Sequence, residues 1–230
     1  MRWALCSIAF VAACATAGKS TDKPIDASSG DDDDASVPID APLPIDAPVM
    51  ATLSETVNST VTVGDSIGCI DGNNTMADTN WYRVFQLSDF SITGVFHVQS
   101  VTMGIQNSAG TPTLTFNIGT YAGAIDGSTI NMGMYTQLAT ATQQIPATST
   151  PSTATVPLVA DIPAGGKFVV EILVPQQSGN NHYVFIGATS AGETHPGYWE
   201  ASDSACTGGA IKTTVGDTPG QIIINVTGTH

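Results

Sequence analysis

From Thr52 onward the chain is a succession of short runs rich in Val, Ile, Thr, Phe and Tyr, separated by Gly, Pro, Asn and Asp. That pattern predicts strands bounded by turns. The runs are Thr56–Val63, Trp81–Leu87, Phe96–Gln106, Thr113–Tyr121, Tyr135–Thr142, Thr153–Leu158, Lys167–Val174, Tyr183–Thr189 and Gln221–Thr227. Several alternate with a period of two; Leu114, Phe116 and Ile118 share one face. In Phe96–Ile105 the apolar phase slips between Val98 and Val101, the mark of a β-bulge. Lys167–Val174 is apolar almost throughout and reads as a more fully buried strand. No window of ten or more residues carries a helical period. About nine or ten short strands without helices imply an all-β domain, an antiparallel β-sandwich of jelly-roll-like type, over residues 51–230.

The N-terminus is different material. Residues 1–13 place Arg2 before an apolar run from Trp3 to Ala13, which is the length of a signal-peptide core and too short to span a bilayer. The run ends in Val11-Ala12-Ala13-Cys14, which resembles the bacterial lipobox. The resemblance implies cleavage before Cys14, lipidation of its thiol and an anchor in the membrane, stable because more than one acyl chain is buried. A competing A-x-A site at Ala15-Thr16-Ala17 would instead release a secreted protein.

Residues 14–50 repeat Pro-Ile-Asp-Ala at Pro24, Pro38 and Pro44 and carry an acidic run from Asp31 to Asp34. Fixed proline φ, repelling charge and few large apolar residues predict a disordered, extended tether. Its roughly 36 residues reach about 35 Å as a coil and about 110 Å as polyproline II. Asp- and Pro-rich stretches after a lipidated cysteine resemble those of myxobacterial-type outer-membrane or secreted lipoproteins, which implies the outer membrane or cell surface.

Composition then excludes some functions. Of 230 residues only 11% are charged, and the net charge is −14. The tether holds eight Asp against two Lys, while residues 50–230 offer Arg83, Lys167 and Lys212 as their only Lys or Arg. Nucleic-acid backbones need clustered cations, so nucleic acid is not a partner. Four cysteines are present. With Cys6 in the signal segment and Cys14 assigned to lipid, Cys69 and Cys206 remain, and an exported chain makes their disulfide the default.

Cys69, the strand Asn80-Trp81-Tyr82-Arg83-Val84-Phe85-Gln86-Leu87, the segment Val98–Ile105, Ile162-Pro-Ala-Gly-Gly-Lys-Phe-Val-Val-Glu-Ile172 and Pro196-Gly-Tyr-Trp199 before the second cysteine form a recognisable series. It resembles β-sandwich accessory modules attached to secreted bacterial proteins, including some peptidases, over residues 55–228. The shared residues imply a core and a disulfide, and none of them is a catalytic group.

Candidate chemistry is sparse. Gly64-Asp65-Ser66-Ile67-Gly68 matches the nucleophile-elbow pattern, but a loop sequence follows where a helix is required, so a turn explains it. Glu193, His195 and Asp203 offer acid/base or metal-binding groups, and their setting reads as a polar connecting loop. Asp71, Asn73 and Asp78 (with Thr75) present hard oxygens suited to a structural Ca²⁺, against an Asx-rich turn. Trp81, Tyr82, Tyr198 and Trp199 offer rings for a glycan or an envelope protein. The plainer reading of the 196–200 loop packs one ring over the Cys206 disulfide and turns the other to water. These features predict a lipid-anchored envelope protein with a non-catalytic binding or interaction sandwich. The alternatives are a carbohydrate-binding module, marked by exposed coplanar rings, and a hydrolase, marked by Ser66 or His195 in a cleft beside a partner.

Overall fold

Period-two alternation leaves each strand with one apolar edge to bury, and two antiparallel sheets packed face to face satisfy that demand. The computed structural model describes residues 47–214 and 220–230 and shows that arrangement. One sheet runs in the order β1 (Met50–Ser54), β13 (Ile224–Thr229), β4 (Phe96–Ala109), β9 (Tyr183–Thr189) and β12 (Gln221–Ile222). Within it β2 (Ser66–Ile67) pairs with β9, and β7 (Ser152–Ile162) pairs with β4. The other sheet runs β11 (Lys212–Thr213), β10 (Gly197–Ala201), β3 (Thr79–Gln86), β8 (Lys167–Val174), β5 (Thr113–Tyr121) and β6 (Tyr135–Gln144). Every pairing between these strands is antiparallel. The signal segment, Cys14, the Ala15-Thr16-Ala17 site and the tether up to Asp46 lie outside the described residues.

The core between the sheets takes Phe96, Val98, Val101, Met103 and Ile105 from β4 and Phe168, Val170, Ile172 and Val174 from β8, all buried. Phe168 stacks between Phe85, 5.0 Å away centroid to centroid, and Phe96, 6.5 Å away. Burying each such ring contributes about 1.5–3 kcal/mol. The phase slip in β4 is a bulge: its register shifts between Val98 and Ser100 against β7. On its other side β13 slips at Thr227/Gly228, where a Cβ on Gly228 would stand 2.3 Å from the His97 carbonyl oxygen. Only glycine fits that approach.

β3 is buried on both faces. Trp81, Arg83 and Phe85 alternate toward the other sheet, whereas Tyr82 and Val84 point outward beneath residues 122–134. That segment is pinned by Tyr198 Oη donating to the Ile125 carbonyl at 3.0 Å and by the Asn131 amide donating to Tyr121 Oη at 3.2 Å. Lys167 Nζ donates to the Gly123 carbonyl. A disulfide joins Cys69 to Cys206, with Cα atoms 6.1 Å apart.

Two expectations about strands are corrected. Residues 57–63 form no strand; the first strand is β1, one segment earlier, because its partner is the C-terminal β13 and Leu53 reaches the core there. The expected loop around Tyr198 and Trp199 is β10, paired along its length with β3.

Candidate functional site

The chemistry of the molecule gathers around Arg83. Period-two alternation turns this side chain inward with Trp81 and Phe85, and it is fully buried. A lone guanidinium in such a place is untenable, so the surrounding chain supplies acceptors. Nη1 donates to Glu193 Oε2 at 2.7 Å and to the His195 carbonyl at 2.7 Å, and Nη2 donates to the Ile222 carbonyl of the opposite sheet. Arg83 thus ties β3 to β12 and holds the 193–195 segment. Its cross-strand partner is Gly197, where a Cβ would lie 2.6 Å from Ile222 Cγ1, so glycine lets the two sheets close at this point.

Three further segments complete the cluster. The chain leaving β1 runs antiparallel to residues 192–194: Thr194 N donates to the Glu55 carbonyl at 2.7 Å and Val57 N to the Gly192 carbonyl at 3.0 Å. This places Glu55 under the site, 1% exposed. The 3₁₀ turn Leu87–Phe90, directly after β3, delivers Asp89. Residues 122–131 deliver Asp126. His195 joins them, its Nδ1 2.8 Å from Asp126 Oδ1 and its Nε2 3.1 Å from Asp89 Oδ2. A groove of about 430 Å³ opens beside the imidazole, walled by Glu193, Pro196, Ser128 and Thr213.

Electrostatics follow from this crowding. Burial pushes the Glu55 carboxyl up to about 7, only partly opposed by the charges of His195 and Arg83. Burial pulls His195 down, but hydrogen bonds to Asp126 and Asp89 and the charge of Glu55 more than offset it, and the net shift is upward. Both oxygens of Glu55 lack a hydrogen-bond donor, an unusual state for a buried carboxyl. One atom each of Glu55, Asp89 and His195 lies within 4.8 Å of the other two.

Of the residues singled out from the sequence, Glu193 and His195 are in this cluster; they lie on the connection between β9 and β10, with Glu193 paired to the buried Arg83 and His195 partly buried. Asp203 is used elsewhere, its Oδ1 capping the Ala205 amide at 2.8 Å. Glu55, Asp89, Asp126 and Arg83 join through tertiary contact. Arg83 carried one legible signal: it is an isolated cation between the apolar and aromatic residues Trp81, Tyr82, Val84 and Phe85.

The four aromatic residues are corrected more sharply. Trp81 pairs with Trp199 and Tyr82 with Tyr198 across β3 and β10, and all four are at most 7% exposed. The tryptophans face the main core. The tyrosines lie under residues 122–134, so no exposed coplanar ring pair exists among them and Tyr198 does not face water. Trp199 does border the Cys206 region, lining a pocket with it. Burial raises the Tyr82 phenol, helped by its hydrogen bond to Glu200, and pushes Tyr198 up to about 12.

Asp71 Oδ1 accepts from the amides of Asn73 and Thr75, both at 2.8 Å, and Asp78 Oδ1 accepts from Gln176 N at 2.5 Å. The first is an Asx turn and the second a strap to another loop. Ser66 lies in the two-residue β2, with no helix after it, so the elbow geometry is missing. His97 is exposed on the β4 surface and pairs with Asp161 at 2.7 Å. No protein-family model matches this chain, and no curated protein matches it either.

Proposed function

We propose that this chain is an exported cell-envelope lipoprotein, anchored at Cys14 and holding a non-catalytic binding sandwich away from the membrane on an Asp/Pro-rich tether. The observation that carries the reading is the Cys69–Cys206 disulfide closing a domain whose N-terminal extension ends its apolar run in Val11-Ala12-Ala13-Cys14. Disulfides belong to oxidising compartments, and the lipobox-like ending supplies an address on the membrane. The resemblance to accessory modules of secreted bacterial proteins supports the same role. Trp81, Tyr82, Tyr198 and Trp199 are buried, so these four rings lend no support to a carbohydrate-binding module. Recognition is therefore assigned to the 193–196 edge of the sandwich, where acidic and histidine groups meet an open groove, and the expected ligand is an envelope protein.

Metabolic labelling with palmitate followed by membrane fractionation tests the anchor. Label and membrane association are expected for the unaltered chain and lost in Cys14→Ala. An unlabelled, soluble product beginning after Ala17 overturns the proposal in favour of simple secretion.

A further inference from the structure

We propose that Glu55, Asp89 and His195 bind one divalent metal ion of the Zn²⁺ class. The decisive feature is Glu55. Its side chain is all but fully buried, neither carboxylate oxygen has a donor, and it points at the two other groups. A buried carboxylate without a donor is costly unless something positive meets it. Arg83 makes no hydrogen bond to it: Nη1 and Nη2 donate to Glu193 and to the carbonyls of His195 and Ile222, and the buried Nε–H has no acceptor. A metal ion supplies the missing partner.

The surroundings have the parts of a metal site. Zn²⁺ at about 2.0–2.1 Å from N and O ligands sets tetrahedral ligand atoms roughly 3.3 Å apart. His195 Nε2 and Asp89 Oδ2 stand 3.1 Å apart, so this edge already has that spacing, and the three donor atoms lie within 4.8 Å. A side-chain adjustment by Glu55 of at most about 1.5 Å closes the triangle from within 4.8 Å to that tetrahedral spacing. On the far side of the ring Asp126 accepts from Nδ1 at 2.8 Å. That carboxylate–histidine pair fixes the ring and its tautomer and leaves Nε2 as the donor to metal. Two carboxylates and one imidazole select a borderline ion over Ca²⁺, which takes oxygen ligands. The charge also fits: Glu55, Asp89, Asp126 and Glu193 surround one guanidinium and one imidazole. Three protein ligands leave a coordination position open for water or a further ligand. This inference stands whether or not the chain is lipidated.

The test is isothermal titration of the purified, chelator-stripped full chain with Zn²⁺, Mn²⁺ and Ca²⁺ separately, with Co²⁺ as a visible-absorption probe. One Zn²⁺ per chain at micromolar affinity or better is expected, with Ca²⁺ at least tenfold weaker. Glu55→Gln and His195→Gln should each weaken Zn²⁺ at least thirtyfold and abolish the Co²⁺ bands, and Asp126→Asn should weaken it about 10–100-fold. Asp71→Asn should change nothing. Asp89→Asn, at a partly exposed position, keeps the test sound if Glu55→Gln fails to fold by circular dichroism. No saturable Zn²⁺ binding, or binding that survives Glu55→Gln or Asp89→Asn in a folded protein, overturns the proposal.

Discussion

Replacing Arg83 with Met tests whether the guanidinium holds the two sheets together. The side chain of Arg83 is 0% exposed and that of its partner Glu193 is 9% exposed, so the pair is buried. Arg83→Met fills similar volume but strands the Glu193 carboxylate and the carbonyls of His195 and Ile222. Removing one partner of a buried ion pair costs about 3–5 kcal/mol, mostly the penalty of the charge left behind. Against a total stability of roughly 5–15 kcal/mol, that is a large share. In a domain of this size, each kcal/mol lowers Tm by about 2–4 °C, so a fall of roughly 6–20 °C is expected. The double variant Arg83→Met/Glu193→Gln removes the stranded charge and should recover at least ~2 kcal/mol of the loss, a coupling within the range for contacting residues. Arg83→Lys should recover less than half, because an ammonium does not reproduce a planar fork reaching three acceptors. Urea melts of the four corners of the cycle give these numbers. A loss below ~1 kcal/mol for Arg83→Met, or effects of the two substitutions that add to within ~0.5 kcal/mol, would refute the argument.

Two further predictions concern the fold. The Cys69–Cys206 bond closes a loop with a sequence separation of 137, so Cys69→Ser/Cys206→Ser should lower stability by as much as about 5 kcal/mol; an unchanged urea midpoint with and without reductant would show that the bond is absent or idle. The Tyr198 phenol is raised to about 12 by burial and the charge of Asp126, so its neutral form is favoured in the folded state. Stability from this group is complete below the ordinary tyrosine value near 10 and is lost as pH rises through about 12. Absorbance at 295 nm and circular dichroism should change together in that window, and Tyr198→Phe should shift the alkaline midpoint upward; identical profiles for both chains would remove the linkage.

Much of the strand arrangement is visible in local pattern. Thr113–Tyr121, Lys167–Val174 and Tyr183–Thr189 are strands with the boundaries that alternation and turn residues mark. The slip between Val98 and Val101 is the observed bulge. Where pattern misleads, tertiary pairing is the cause. Residues 57–63 make only scattered backbone bonds, Val57 N to the Gly192 carbonyl and Thr62 N to the Ala188 carbonyl, and no continuous ladder, whereas Met50–Ser54 reads weakly and is held by β13. Pro196-Gly-Tyr-Trp resembles a loop because its glycine and proline suit turns, yet β3 offers it an edge.

The candidate site was legible only in part. His195 and Glu193 stand out in any reading for titratable groups. Glu55, Asp89 and Asp126 each look like one more acidic residue in a chain with twenty.

The sequence by itself determined the class of fold and the faces of its clearest strands, because these follow from period-two burial, and it offered Cys69 and Cys206 as the default pair. Only the tertiary structure decided that the aromatic residues are interior, that Arg83 spans the two sheets, and that an unpartnered carboxylate meets His195. Burial from both sides and contact between residues over a hundred positions apart leave no periodic trace. They arise when sheets stack and loops fold over them, and that is a property of the whole chain.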